Sequence, residues 1–130
     1  MIYLATSINE SPVITQPATA AIEDVRGKAV KFDSNGTVVL AGAGETPLGI
    51  GIMTNGDEGA IAAGEHVDIQ YKSIGLVCAG AAFAKGANLS VDANGNFVTA
   101  TTGDNATTVV AKALEAATAA GAFVPAILKF

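Results

Sequence analysis

At 130 residues and 12.9 kDa the chain has room for one domain and one main core. Half of its residues are hydrophobic, mostly small, and only 15% are charged, against roughly 25% in an average soluble protein, so part of the surface is expected to be covered in an assembly. A net charge of −5 with scattered basic residues excludes a nucleic-acid partner, and no apolar stretch reaches the roughly 18 residues of a membrane-spanning helix.

Residues 1–25 carry Pro12 and Pro17, polar Thr, Ser, Asn and Gln, and no clean periodicity. Proline lacks a ladder donor and biases its neighbours toward extended geometry. This predicts an extended N-terminal arm, lying across a neighbouring subunit, ahead of a single β-barrel-like domain over 26–130. Tyr3, Leu4, Ile8, Val13 and Ile14, with Met1 and Ile2 the sizeable apolar side chains before Ile22, are the arm's expected contacts. Met1 to Ala5 has no basic segment and no long apolar run, so it does not read as a secretory signal.

From Arg26 the pattern sharpens. Lys28 to Asp33 alternates, Asn35-Gly36 turns the chain, and Thr37 to Leu40 returns. Asn-Gly is a strong hairpin signal, because a two-residue type I′ turn needs positive φ at both central residues. Asn55-Gly56 and Asn94-Gly95 repeat the signal. Pro47 to Met53 reads as a strand with Leu48, Ile50 and Ile52 inward, and Gly49 and Gly51 mark a close approach of another backbone. Ile74 to Ala79 reads as a buried strand, Phe97 to Ala100 as a hairpin return, and 108–114 as a strand with room for one helical turn after it.

A short motif recurs: Ala62-Ala63-Gly64 before Val67 and Ile69, Ala84-Lys85-Gly86 before Leu89 and Val91, and Ala119-Ala120-Gly121 before Val124 and Ala126. Unequal intervals argue against a solenoid and for separate hairpins. The fold class is therefore all-β, a small compact barrel or sandwich of hairpins with at most one short helix. Alternation sends Val30, Phe32, Val38, Leu40, Leu48, Ile50, Ile52, Val67, Ile69, Leu76, Cys78, Leu89, Val91, Val98, Leu114, Val124 and Ile127 into the core.

No catalytic constellation is legible. His66 is the one histidine, and alternation in Glu65 to Ile69 turns it outward. Cys78 stands alone in an apolar run, which fits an inert thiol and a reducing compartment at synthesis. Neither Gly42-Ala43-Gly44 nor Gly49-Ile50-Gly51 completes a phosphate-binding motif. Asp92, Asn94 and Asn96 alternate like part of a calcium loop but lack its glycine and terminal glutamate. No metal and no cofactor is expected.

The segments Gly27-Lys28-Ala29-Val30, Pro47-Leu48-Gly49-Ile50-Gly51, Gly64-Glu65-His66-Val67-Asp68-Ile69, Gly86-Ala87-Asn88-Leu89 and Ala113 to Val124, in this order, resemble the capsid cement (decoration) proteins of tailed bacteriophages. The resemblance implies a non-enzymatic β protein, made in the host cytoplasm, that sits on the capsid exterior and bridges major capsid protein subunits. It also implies a homo-oligomer, a trimer ahead of a dimer, with no nucleic-acid or membrane partner. The alternative is a tail-fibre or adhesin-type β module that binds a surface ligand.

Overall fold

Apolar positions alternating between glycine turns produce ten short strands and, among the described residues, no helix. The structure, a computed structural model, describes residues 11–56, 58–101 and 108–130. In chain order the strands are β1 (Val13–Pro17), β2 (Ala29–Phe32), β3 (Val38–Leu40), β4 (Gly49–Gly51), β5 (His66–Gln70), β6 (Ile74–Cys78), β7 (Asn88–Val91), β8 (Phe97–Thr99), β9 (Ala111–Ala113) and β10 (Phe123–Leu128). They form two antiparallel five-stranded sheets, of order β1-β5-β4-β2-β3 and β6-β10-β9-β7-β8. The all-β expectation holds as a sandwich, since neither sheet closes into a barrel.

The second order is the first moved five strands along the chain, so one five-stranded unit is built twice. The irregular links repeat as well. Ala18 bridges Val38 in parallel and Ile22 bridges Ile61 antiparallel; Ala79 with Phe97 and Phe83 with Ala117 do the same in the second unit. Gly27 corresponds to Gly86, Gly36 to Gly95 and Gly64 to Gly121, each at positive φ. The recurring Ala-Gly motif thus mixes two turn types: Gly64 and Gly121 open β5 and β10, whereas Gly86 opens β7. That mixture made its intervals unequal.

The hairpin glycines Gly36 and Gly95 have φ of 78° and 79°, as expected, but Asn35 and Asn94 are not at positive φ. Each turn is instead a tight turn closed by a left-handed glycine, with Gly36 N–H donating to the Asp33 carbonyl (3.1 Å) and Gly95 N–H to the Asp92 carbonyl (3.3 Å). The reason is the aspartate two residues before each asparagine. Asp33 Oδ1 accepts from the N–H of Asn35 and Thr37, and Asp92 Oδ1 from the N–H of Asn94 and Asn96. Asn55 differs again: its side chain is buried, donates to the carbonyls of Ile52 and Asp68, and accepts from the Asp68 N–H at 2.8 Å. It clamps the long β4–β5 connection.

Residues 13–25 are not an arm reaching away from the domain. Val13 and Ile14 pair with Gln70 and Ile69, and Pro17 pairs with His66, at the edge of the first sheet. Ala18, Ile22 and Val25 are buried with Val30, Val38, Val67 and Ile69 in that unit's core. The extended conformation was legible; the partner is the chain's own β5. Tyr3, Leu4 and Ile8 lie outside the described residues.

A second core joins the units, with Ala29, Ala41 and Ile50 packed among Val77, Leu89, Phe97 and Val110. Backbone bonds cross the same junction: Ala29 N–H donates to the Gly95 carbonyl (2.8 Å), Gly44 N–H to Val91 (2.9 Å) and Cys78 N–H to Gly27 (2.9 Å). Gly49 and Gly51 mark close approach as expected, since a side chain there would strike the Gln70 and Val25 carbonyls. Most of the expected core is buried or half-buried, but Phe32, Leu76 and Ile127 are exposed. Phe32 ends β2 beside the turn. In β6 the buried set is Gly75 and Val77 with Cys78, and in β10 it is Val124, Ala126 and Leu128. Small residues, Gly75 and Ala126, occupy the inner face there, and the larger aliphatics point out.

Candidate functional site

The isolated chemical groups behave as structure. His66 is exposed at the start of β5. Cys78 is buried, and burial pushes its thiol pKa up, which disfavours the nucleophilic thiolate. Asp92, Asn94 and Asn96 form the hairpin turn described above. Among the described residues no three His, Cys, Asp or Glu side chains cluster as metal ligands. The charged contacts are local. Asp24 lies below the usual carboxylate range because Arg26 hydrogen-bonds to it at 2.8 Å, and Glu45 is lowered by Lys31 at 2.6 Å.

Large exposed apolar side chains are concentrated on one face instead. In β6 and β10, Ile74 pairs with Ile127, Leu76 with Pro125 and Cys78 with Phe123, so these six share a face. Ile74 is 58% exposed and Leu76 41%, with Phe123 and Ile127 also open. Met53 continues the surface, because a groove of about 280 Å³ is lined by Ile50, Ile52, Met53, Ile74, Leu76 and Pro125 among others. Arg26 covers the far end, 5.7 Å above the Phe123 ring. Exposed Lys112 stands opposite Ile127, and exposed Lys72 and Lys129 flank β6 and β10.

The sequence reading missed this surface because it sends Leu76 and Ile127 inward, although Cys78 and Val124 are buried as expected. Its signal was present: the inward positions of β6 and β10 contain Gly75 and Ala126, too small to fill a core alone, between larger aliphatics. Of the expected contacts, Val13 and Ile14 are half-buried in β1. The segment joining them to residues 1–10 begins at Ser11, whose carbonyl accepts from the Tyr71 hydroxyl at 2.8 Å. Lys72 and Ile74 lie one and three residues after Tyr71, so Ser11 sits near one end of the apolar face.

Among solved structures, the chain is similar to the head fiber gp8.5 N base of bacteriophage phi29, with a TM-score of 0.66 and 20% identity over 89% of this chain and 92% of that one. That likeness establishes a shared fold. No curated protein matches the chain in sequence. The family model described as phage cement protein matches residues 36–128, from the first hairpin glycine to the end of β10. The chain belongs to the phage cement proteins and is a structural, capsid-decorating component of a bacteriophage virion.

Proposed function

We propose that this chain sits on the outside of the capsid and holds neighbouring copies of the major capsid protein together, acting through contact area and not through catalysis. The observation that carries the reading is the family match over 36–128, which spans strands of both units. The double unit, with its short strands and close glycine packing, supplies a stiff body for such a clamp. Assembly as a homo-oligomer, a trimer ahead of a dimer, would multiply weak contacts through effective concentration. Synthesis in the host cytoplasm accords with the lone buried thiol. Tyr3, Leu4 and Ile8 are proposed as further contacts, with Val13 and Ile14 contributing only what β1 leaves open.

The test compares DNA-filled heads of the parent phage with and without this protein. Heads carrying it are expected to release DNA at a higher temperature, and adding purified protein to bare heads should restore that temperature. Identical release temperatures, with the protein shown to be bound, would remove the clamping role.

A further inference from the structure

The duplication supplies an internal control for the apolar face. Superposing the strand pairings places β1 and β5 where β6 and β10 stand in the second unit. The positions equivalent to Ile74, Leu76 and Cys78 are Val13, Thr15 and Pro17, and those equivalent to Phe123, Pro125 and Ile127 are His66, Asp68 and Gln70. In the first unit four of these six positions are polar, Val13 and Pro17 being the exceptions, and three of the polar ones are internally bonded. Thr15 donates to Asp68 Oδ1 at 2.7 Å, and Gln70 Nε2 donates to the carbonyls of Lys72 and Ile74. The second unit presents the same backbone surface with aliphatic and aromatic side chains. The fold therefore does not require an apolar face here, since its own other half does without one. Clustered exposed apolar residues with a polar rim mark contact surfaces.

The rim points to the occupant. Lys72, Lys112 and Lys129 border the Ile74–Ile127 end and form no ion pair among the described residues, in a chain whose net charge is −5. A two-fold contact with a second copy centred on this end of the face would set these lysines against one another. A partner with an apolar strip bordered by carboxylates matches both features.

We propose that the β6–β10 face seats on the capsid shell, against an apolar strip of shell protein bordered by acidic side chains; this rests on the capsid-binding reading above. The test measures binding of purified protein to shells assembled from the parent phage's major capsid protein alone. Ile74→Ser with Leu76→Thr alters only exposed side chains, and is expected to keep the melting temperature while weakening binding about tenfold or more, about 1.4 kcal/mol. Lys112→Glu with Lys129→Glu is expected to weaken binding at low salt and to converge on the wild type at high salt. His66→Ser, on the equivalent face of the first unit, should leave binding unchanged. If wild type and the Ile74/Leu76 variant bind alike, the face is not the seat. If that variant binds normally but sediments as a smaller species, the face joins copies of this chain and the proposal is overturned. If the wild type itself does not bind shells, the capsid-binding reading falls first and this proposal with it.

Discussion

Asp33 and Asp92 each organise a turn through one carboxylate oxygen, and Asn55 closes a long loop through its side-chain amide. The Asn-Gly pairs located the hairpins because the left-handed glycine is unavoidable, yet they misled on turn type because the preceding aspartate decides the geometry. Gly95→Val should destabilise the protein by about 1–2 kcal/mol from backbone strain, and by more than Gly36→Val. A side chain at Gly95 would also press on the Ala29 carbonyl at 3.1 Å, whereas Gly36 faces open space. Equilibrium denaturation of the two variants checks the order. Asn55→Ala strands the Asp68 N–H, whereas the Asp68 carbonyl keeps the Ile52 N–H, and should cost about 1–3 kcal/mol. Asp24, Asp33 and Glu45 are all held below their unfolded values, by Arg26, Thr19 and Lys31 respectively. The folded state thus binds fewer protons than the unfolded chain as pH drops through the carboxylate range. Their stabilisation is present in full above the unfolded values of 3.8 and 4.5 and is lost as pH falls through the lower folded ones. Melting temperatures should be level near neutrality and fall below about pH 4.5, with a smaller fall in Asp33→Asn.

At the scale of elements, strands with strict alternation and glycine punctuation were legible, and β1 was not. Val13–Pro17 mixes Thr and Gln with valine and isoleucine and ends in proline, a composition suited to an edge strand that must not recruit a further neighbour. A periodicity search passes over such a strand, because Val13 and Pro17 share the outer face with Thr15 while Gln16 lies on the inner one opposite Val67, so polarity does not alternate. The misplacement of Leu76 and Ile127 has a different cause. Size alone sends Leu76 and Ile127 inward, but in β6 and β10 the outer face carries the large side chains and the inner face holds Gly75 and Ala126. Removing residues 1–10 deletes none of the pairings of β1 and should leave the melting temperature unchanged. Removing residues 1–17 uncovers β5 and the Val67–Ile69 core and should lower it clearly. Equal melting temperatures for the two truncations would contradict the placement of β1 in its own sheet.

The whole molecule is a repeated five-stranded unit in which one copy keeps a mostly polar outer face and the other exposes an apolar one. The duplication was only half visible in sequence, as the shared Asn-Gly hairpins and a glycine motif, because the two copies have diverged in the side chains that cover the sheets. The apolar face could not be read without the register, since a one-residue shift exchanges inside for outside. Family membership follows from residues 36–128, and the outward aliphatics are the proposed means of attachment. The most direct test is an electron cryomicroscopy map of heads decorated with this protein. The expected result is density for the double unit on the outer capsid surface, with Ile74, Leu76 and Ile127 turned onto the shell. Density in which this face is open to solvent, or no density on the shell at all, would contradict the account.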